Sequence, residues 1–408
     1  MKVVYLNPSG QLGGAEVSLL DMMASVQMAA PEWHLHLVTS DDGPLVSRAA
    51  KIGVPTIILP FPERLSRLGD AGAGGPAGKQ VRRLAVLREL SLAVPSVMTY
   101  IRRLRRTLHE LAPDVIHTNG FKMHVLGVRA RPLRVPVIWH IHDYVSARPI
   151  MARLLSRHAA RCAVAIANSR SVADDVRKVC GESLTVQTIY NGIDVENFSP
   201  DGPTLDLDAL SGLPPAAPGT VKVGMLATLA RWKGHETFLQ ALAMLPTDLP
   251  VRGYIASGAL YKTVGSQHSL AELKSIAAKL GVSGRVGFTG FVNDPASAMR
   301  SLDIIVHAST QPEPFGLVIA EGMACGRAVI VSQTGGAAEI SDTDINVLGH
   351  PPGDAARLAE RITHLVANKD LRTRISTEAR AAAEQRFNRE RLARELIPIY
   401  REVLSTNN

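Results

Sequence analysis

Short runs of apolar residues recur along the first 200 residues, and segments with helical spacing separate most of them. The run "KVVYLN" at 2–7 has the length and composition of a strand, whereas the apolar residues of 15–27 follow the helical period. Further strands are predicted at 34–40, 56–60, 114–119, 136–143 and 162–169. This alternation is typical of an α/β fold with a doubly wound parallel sheet.

The alternation starts again after a segment rich in proline and glycine at 201–220. The predicted strands of this second half are 222–228, 251–257, 285–290, 302–309 and 327–333. We therefore expect an N-terminal domain at 1–194 and a C-terminal domain at 195–389. The charged tail is predicted to be helical, and a last helix at about 390–408 is expected to pack back on the N-terminal domain.

Ligands of open parallel sheets bind beyond the carboxyl ends of the strands. Two such domains therefore predict a binding site in a cleft where they face each other. A segment rich in glycine and alanine at 69–79 interrupts the N-terminal domain and is predicted to be a loop.

Positive charge is concentrated in the first half of the chain. Residues 1–194 hold 24 Lys and Arg against 15 Asp and Glu, and the remainder holds 21 against 22. The density is highest at "IRRLRR" (101–106), with Arg82, Arg83 and Arg88 upstream. Such a surface favours an anionic partner, either a phosphate-bearing substrate or an anionic membrane, and the alternative is a solvated helix face. Nucleic acid is not expected, because aromatic residues make up only 4% of the chain.

Neither the first apolar run nor the cysteines indicate a targeting segment or a metal site. The first apolar run is too short for a signal-peptide core, and no apolar run reaches 18 residues. Cys162, Cys180 and Cys325 match no metal-binding spacing and are predicted to be buried thiols in a reducing compartment. We expect a cytoplasmic protein, with a peripheral contact to the inner face of the membrane suggested by the basic segment.

The stretch "QPEPFGLVIAEGMACG" (311–326) carries candidate chemistry. Glu313 lies in the loop at the carboxyl end of a predicted strand, and a helix is predicted to begin at Gly316 or Leu317. Backbone amides at a helix start attract phosphate, and Glu313 and Glu321 could each accept hydrogen bonds from a sugar diol. The pair therefore suits two sugars joined by a diphosphate. The alternative is an ordinary acidic helix start.

This stretch resembles the E-x7-E motif of glycosyltransferase family 4, whose members are retaining enzymes with the GT-B fold. Five other segments resemble family elements in the same order along the chain: "PSGQLGGAE" (8–16), "NGID" (191–194), "WKGHETFLQAL" (232–242), "GFTGFV" (287–292) and "HPPGDAARLAERITHLV" (350–366). The resemblance implies two Rossmann-like, doubly wound domains that face each other across a cleft.

The resemblance also implies roles for particular residues. His142, Lys233 and Glu313 are the expected catalytic residues, with Lys233 on the donor diphosphate and Glu313 on the transferred sugar. Glu321 would hold the donor ribose. The remaining expected donor-binding residues are Gly13, Gly14, Arg231, Phe291, Val292, Phe315, Gly316 and Leu317.

Residues of the N-terminal domain would contact the sugar and the acceptor. His142 ends the predicted strand "PVIWHIHD", and His140 lies two residues earlier on the same face without an assigned role. His117 and Asn119, at the end of another strand, are expected on the acceptor side. Glu16 is expected either to face the acceptor or to act as a charge at a helix start.

The sequence departs from the family at one position. Thr228 stands where the family usually carries an arginine that joins the lysine on the diphosphate, and Arg231 is expected to supply this charge instead. No metal site is expected, because the sequence shows no metal cluster and no Asp-x-Asp element near the other site elements. No cofactor is expected, because the nucleoside diphosphate sugar is a substrate. The "DTD" at 342–344 is predicted to be a surface turn.

We expect a metal-independent, retaining hexosyltransferase that moves a sugar from a nucleoside diphosphate to an acceptor hydroxyl in polysaccharide or glycolipid biosynthesis. Its expected partners are the donor and a sugar or lipid-linked acceptor. One alternative is an epimerase or phosphorylase of the same fold. The other is a catalytically silent or regulatory protein that binds nucleotide sugars.

Overall fold

The structure is a computed structural model that describes residues 1–63, 65, 79–257 and 267–406. The predicted loop at 69–79 lies outside the described residues apart from Lys79, and the side chains of Arg82, Arg83 and Arg88 lie outside them as well. Contacts divide the chain into two compact units. Unit 1 comprises Met1–Gly192 with Arg389–Asn408, and unit 2 comprises Ile193–Asn388.

Unit 1 is built on a sheet of seven parallel strands. They are β1 (Lys2–Leu6), β2 (His34–Thr39), β3 (Thr56–Ile58), β4 (Val115–Asn119), β5 (Val137–Ile141), β6 (Val164–Ala167) and β7 (Val186–Thr188). The sheet has the order β3-β2-β1-β4-β5-β6-β7. Its inner strands are buried on both faces, which explains why they are continuous apolar runs in the sequence.

Helices connect these strands. They are α1 (Gly14–Ala29), α2 (Pro44–Lys51), α3 (Lys79–Leu111), α4 (Phe121–Ala130), α5 (Pro149–His158) and α6 (Arg170–Cys180). One hydrophobic core lies between the sheet and α3 to α6, and it contains Trp139 and Tyr100. A second core on the opposite face contains Tyr5, Ile138 and residues of α1.

Unit 2 repeats this design with six parallel strands. They are β8 (Val221–Leu226), β9 (Val251–Ala256), β10 (Val286–Gly290), β11 (Ile304–His307), β12 (Ala328–Ser332) and β13 (Leu348–His350), in the order β10-β9-β8-β11-β12-β13. Its helices are α7 (Leu207–Ser211), α8 (His235–Met244), α9 (Leu270–Lys279), α10 (Pro295–Arg300), α11 (Leu317–Ala324), α12 (Gly336–Glu339), α13 (Ala355–Ala367) and α14 (Lys369–Phe387).

The last helix, α15 (Arg391–Ser405), belongs to unit 1. Its apolar residues Leu396 and Tyr400 lie in the same core as Tyr5. Arg389, just before the helix, forms an ion pair of 3.1 Å with Asp21 of α1. The structure thus divides the chain after Gly192 and Asn388, where the sequence analysis drew the divisions after residues 194 and 389.

The α/β class with two Rossmann-like parallel sheets is confirmed. Each predicted strand has a counterpart, whereas β7 and β13 were not predicted. The three cysteines are buried free thiols, as expected. In the described part of the chain, none of the helices is both long enough and apolar enough to cross a bilayer.

Each sheet reverses its strand order at one point. The reversal lies between β1 and β4 in unit 1 and between β8 and β11 in unit 2. In doubly wound sheets, ligands bind outside the carboxyl ends of the strands at this reversal. The loops after these four strands are therefore where a site is expected in each unit.

Candidate functional site

In unit 2, a short 3-10 turn at Arg231–Lys233 lies against the loop that follows β11. Gly234, which follows the turn, has a φ of +82°, and a Cβ atom there would lie 1.9 Å from the carbonyl oxygen of Ala308. The carbonyl oxygen of Trp232 accepts a hydrogen bond of 2.7 Å from the amide of Thr310. Only glycine permits this approach, so the Lys-Gly pair fixes Lys233 beside the loop after β11.

Lys233 and Glu313 form the centre of this site. The Nζ atom of Lys233 donates to both carboxylate oxygens of Glu313 at 2.8 Å. It also lies 4.2 Å from the centroid of the Trp232 ring, which suits a cation–π contact. The two side chains are only 17% and 9% exposed, so solvent screens this ion pair weakly.

Two further residues hold the carboxylate of Glu313. Ser309 donates from Oγ to Oε2 at 2.8 Å, and Nε2 of His307 lies 3.3 Å from the same oxygen. Burial alone would raise the pKa of Glu313, but the charge of Lys233 and the contact with His307 outweigh it and hold the pKa well below its usual range. Glu313 is therefore an anion at neutral pH.

The helix that carries the second glutamate begins as predicted. Gly316 caps α11 with a φ of +95°, and Leu317 is the first helical residue. Glu321 lies in α11 and is partly exposed. Phe315 is buried, and its ring packs edge-on against Phe387 of α14, with the centroids 5.9 Å apart. The side chain of Phe315 thus anchors the loop in the core, and its amide remains the atom proposed for donor binding.

Arg231 is not brought to the Lys233–Glu313 pair. Its guanidinium donates to both carboxylate oxygens of Glu272 at 2.8 and 3.1 Å, and it also lies 4.0 Å from Glu236. The expectation that Arg231 replaces the arginine absent at position 228 is not met by this geometry. Two acidic side chains neutralise the guanidinium and direct it toward α9.

Thr228 lies instead in an open pocket of about 140 Å³. The pocket is formed at the carboxyl ends of β8 and β9 and by the loop after β10. Its lining residues are Leu226, Ala227, Thr228, Ala256, Ser257, Phe291, Val292 and Pro295. The structure thus brings Phe291 and Val292, both predicted to bind the nucleobase, together with Thr228. The Phe291 side chain is 65% exposed and available for contact with a ligand.

In unit 1, the Gly-rich loop after β1 leads into α1. Glu16 accepts a hydrogen bond of 3.0 Å from the amide of Gly13, and its other oxygen lies 3.4 Å from Nδ2 of Asn7. Burial raises the pKa of Glu16, and these hydrogen bonds oppose the shift. Glu16 thus takes part in the cap of α1, and its contact with an acceptor stays a prediction. Gly14 is exposed at the first turn of α1.

Histidines and an asparagine cluster on one face of the unit 1 sheet. The rings of His140 and His142 lie 3.9 Å apart, and those of His117 and His140 lie 5.4 Å apart. Asn119 donates to the Oδ1 atom of Asn7 at 2.7 Å. His117 is fully buried, and its Nδ1 atom lies 2.9 Å from the hydroxyl of Tyr400. Placement of His117 on the acceptor side stays a prediction. Because its ring is fully buried, His117 would affect an acceptor through neighbouring side chains.

These histidines are neutral at physiological pH. Burial lowers the pKa values of His117 and His142 to about 3, and it holds the pKa of His140 well below 6.5. Each positive charge would also repel the others in the cluster. As a neutral imidazole, His142 can therefore donate one hydrogen bond and accept another.

Sequence reasoning missed His307, Ser309 and Trp232, which hold Glu313 and Lys233. His307 and Ser309 are two residues apart at the end of a strand, which places both side chains on one face and could have indicated a shared partner. Among the described residues, no group of three or more His, Cys, Asp or Glu side chains is placed to hold a metal ion. The predicted turn at 342–344 is exposed.

Two family models match the chain in succession. "Glycosyltransferase Family 4" matches residues 12–197, and "Glycosyl transferases group 1" matches residues 215–382. The chain belongs to glycosyltransferase family 4.

Among curated proteins, a D-inositol 3-phosphate glycosyltransferase of Xylanimonas cellulosilytica is 30% identical over 250 residues, which are 58% of this chain and 56% of the relative. The lipopolysaccharide core biosynthesis glycosyltransferase LpsE of Rhizobium meliloti is 30% identical over 48% of this chain and 54% of LpsE. The matches thus span about half the length of these relatives.

Among solved structures, HepE (Alr3699) of Anabaena in complex with UDP superposes with a TM-score of 0.77 at 26% identity, over 98% of this chain and 100% of HepE. HepE in complex with UDP-glucose gives a TM-score of 0.76 over 100% of both chains. A sucrose-phosphate synthase of Thermosynechococcus elongatus shares the fold, with a TM-score of 0.77 at 18% identity over 100% of both chains. The expected GT-B fold class is confirmed.

Proposed function

We propose that this protein is a retaining glycosyltransferase that moves a hexose-type sugar from a nucleoside diphosphate to an acceptor hydroxyl. The observation that carries the proposal is the buried Lys233–Glu313 pair at the strand reversal of unit 2. It combines a cation for a diphosphate with a carboxylate for sugar hydroxyls. The similarity to HepE, whose structures contain UDP and UDP-glucose, supports a nucleotide-sugar donor.

In the proposed complex, unit 2 binds the donor. The base enters the pocket with Phe291 and Val292, and Glu321 accepts hydrogen bonds from the ribose hydroxyls. Lys233 turns from Glu313 toward the diphosphate, while the amides of Phe315, Gly316 and Leu317 assist at the start of α11. Glu313 then accepts hydrogen bonds from the sugar. A positive group beside the leaving diphosphate lowers the barrier because negative charge grows there in the transition state.

The reaction needs no protein nucleophile in this proposal. The acceptor oxygen attacks the anomeric carbon on the face from which the diphosphate leaves. The bond from that carbon to the phosphate oxygen breaks, the bond to the acceptor oxygen forms, and the departing diphosphate takes the acceptor proton. Lys233 and the amides of α11 stabilise the leaving group in place of a divalent ion.

Unit 1 supplies the remaining groups in the proposal. His142 contacts the donor sugar or its phosphate as a neutral imidazole, and Gly13 and Gly14 let the main chain approach the phosphate. Glu16, His117 and Asn119 belong to the acceptor side. The proposed acceptor belongs to polysaccharide or glycolipid assembly, and the proposed place of the reaction is the cytoplasm. Similarity to LpsE, a glycosyltransferase of lipopolysaccharide core biosynthesis, supports an acceptor of this kind.

A catalytically silent protein that binds nucleotide sugars is the second candidate. One observation favours it: Arg231 is held by Glu272, and Thr228 carries no charge, so neither residue adds a cation to Lys233 beside Glu313. Such a protein would bind the donor and release no nucleoside diphosphate.

A donor screen tests the proposal. UDP-, GDP-, ADP- and dTDP-sugars are added to the wild type, to Glu321→Ala and to the control Glu360→Ala, which changes an exposed glutamate of α13. Thermal shift reports binding, and free nucleoside diphosphate reports turnover. We expect one donor to stabilise and be slowly hydrolysed by the wild type and the control, and Glu321→Ala to lose both effects. Binding without release would favour the silent protein, and no binding would contradict both.

We further propose that the outer face of α3 contacts anionic lipid. Arg102, Arg103, Arg105 and Arg106 are exposed there, and the exposed apolar residues Val94 and Met98 precede Arg102 at intervals of four residues. Residues four apart lie on one helix face. The arrangement thus places apolar side chains beside cations, which suits a membrane surface with anionic headgroups.

Co-sedimentation with vesicles tests this contact. We expect binding to phosphatidylglycerol vesicles at low salt, weaker binding at high salt and none to phosphatidylcholine. Arg102→Glu/Arg103→Glu should abolish binding, while the matched control Arg153→Glu/Arg157→Glu on α5 should retain most of it. The proposal fails if the wild type does not bind anionic vesicles at low salt.

A further inference from the structure

A row of polar rings crosses the buried face of the unit 1 sheet beneath α15. Tyr5 of β1 pairs in register with His117 of β4, and Asn119 of β4 pairs with His140 of β5. Side chains of registered partners point to the same face, as do residues two apart on a strand. His142, just past β5, extends the row to the carboxyl edge of the sheet, where the proposed site lies.

The row has one hydrogen-bonded end. The hydroxyl of Tyr400, on α15, lies 2.9 Å from Nδ1 of His117 and 3.2 Å from the hydroxyl of Tyr5. Both tyrosines are fully buried. His117 is thereby fixed in orientation, because its ring nitrogen and the hydroxyl of Tyr400 must remain aligned.

The other end is held by packing. Neither ring nitrogen of His140 or of His142 has a hydrogen-bond partner among the described residues. His140 is 3% exposed, and its ring is wedged between those of His117 and His142, at centroid distances of 5.4 and 3.9 Å. Buried polar groups are rarely left without partners, so these imidazoles are retained against a cost in stability.

We propose that His140 is a positioning residue that sets the ring orientation of His142, and that Tyr400 sets His140 through His117. The inference rests on the proposed role of His142 toward the donor. No hydrogen bond within the described residues orients the His142 ring, so the ring packed against it does. Tyr400 thus connects the last helix of the chain to the site through two intervening rings.

The first test measures turnover in matched variants. His140→Ala removes the packed ring, whereas His140→Phe keeps an aromatic ring of similar shape. We expect His140→Ala to lower kcat about tenfold to a hundredfold with little change in the donor KM, because misplacement of a reacting group costs rate. His140→Phe should restore most of the loss. His124→Ala is the control for stability, because His124 is equally buried but packs on Trp139 on the opposite face.

The second test does not depend on turnover. Ring nitrogen NMR signals of His142 are recorded in the donor-free protein, in His140→Ala, in Tyr400→Phe and in Tyr5→Phe. We expect the His142 signals to shift in His140→Ala and in Tyr400→Phe. In Tyr5→Phe they should stay near the wild-type values, because Tyr400 still contacts His117.

The outcomes separate the inference from the proposed function. Unchanged His142 signals in His140→Ala and Tyr400→Phe overturn the positioning role, whatever the turnover. Shifted signals in a protein that turns over no donor support the positioning role and count against the transferase proposal alone. Shifted signals with unchanged kcat in an active enzyme overturn the link between His140 and the reaction.

Discussion

The ammonium of Lys233 lies 2.8 Å from each carboxylate oxygen of Glu313, although 80 residues separate the two in the chain. The pair is nearly buried, and Ser309 and His307 complete the surroundings of the carboxylate. Burying an ion pair seldom stabilises a protein more than a well-packed apolar pair would. Its presence at the end of β11 is therefore better explained by ligand binding than by stability.

Removing the lysine should destabilise unit 2. In Lys233→Met, Glu313 keeps its buried charge without its cation, so we expect a loss of about 3–5 kcal/mol in the free energy of unfolding near pH 7. Urea denaturation measures this loss. Donor turnover should fall by about 100-fold or more, because the leaving group loses its positive partner.

The double variant Lys233→Met/Glu313→Leu is the control for this result. With both charges removed, no unpaired charge is buried, and we expect most of the lost stability to return while turnover stays low. A double variant that stays as unstable as Lys233→Met alone would show that the ion pair itself stabilises the fold, and that an unpaired charge is not the cause of the loss.

Stability should begin to fall as the pH drops below about 6.5. The pKa values of His117 and His142 are about 3 in the folded protein, against 6.5 for an ordinary histidine. Between these pH values the unfolded chain takes up protons that the folded chain does not. The stability that each of these histidines contributes is therefore fully present above pH 6.5 and is lost as the pH falls toward 3. Each such histidine contributes a slope of up to about 1.4 kcal/mol per pH unit. Urea denaturation from pH 7.5 to 4.5 measures it.

Variants separate this effect from acid denaturation by carboxylates. Glu313, whose pKa is lowered, contributes stability that is fully present above the usual carboxyl range and is lost as the pH falls through and below that range. Replacing His117 by Phe should reduce the slope between pH 6.5 and 5, because one of the buried histidines is then absent from the folded and the unfolded chain. Equal slopes in wild type and His117→Phe would contradict the assignment.

Gly234→Ala should displace the Lys-Gly turn. The new Cβ atom would overlap the carbonyl oxygen of Ala308, in addition to the strain of a positive φ. Gly219→Ala is a matched control, because Gly219 has a φ of +83° with no atom within 4 Å of the added Cβ. We expect the free energy of unfolding to fall by about 1–2 kcal/mol in the control and by more in Gly234→Ala. Only Gly234→Ala should weaken donor binding. Similar losses in both variants would mean that the contact with Ala308 has no effect.

Thr228→Arg should strengthen the binding of a diphosphate. Thr228 lies at the edge of the pocket with Phe291, so a guanidinium there would add a second cation near the proposed diphosphate position. We expect an affinity for UDP about tenfold higher by calorimetry, because hydrogen bonds to charged groups contribute about 1.5–3 kcal/mol. Affinity for uridine should not change, and Thr228→Met serves as an uncharged control. Weaker binding of both ligands would show that the arginine fills the pocket instead.

The sequence was sufficient to predict the two-sheet architecture but not the edge strands β7 and β13. The inner strands are buried on both faces, so their apolar runs are unmistakable. The strands β7 ("VQT") and β13 ("LGH") are three residues long and lie at sheet edges, where neither an apolar run nor an alternating pattern is required. Their pairing depends on neighbouring strands that local patterns do not specify.

The candidate site was predicted as a set of residues and not as a set of contacts. Lys233 and Glu313 were both identified, yet their direct pairing depends on how the turn at Arg231–Lys233 packs against the loop after β11. Arg231 was expected to contact the diphosphate, but its guanidinium donates a hydrogen bond to Glu272, 41 residues away in the chain. The contact of His117 with Tyr400 spans 283 residues, and no local pattern encodes it.

The division of unit 1 into two stretches of chain sets an order for its synthesis. The strands β1 to β7 leave the ribosome first, but the face of the sheet that contains Val3, Tyr5 and Ile138 is covered only in part, by α1, until α15 arrives. All of unit 2, a continuous stretch, is made in between. Of the two units, the one whose translation begins earlier is thus completed later, and its nascent form presents a partly open apolar face to chaperones.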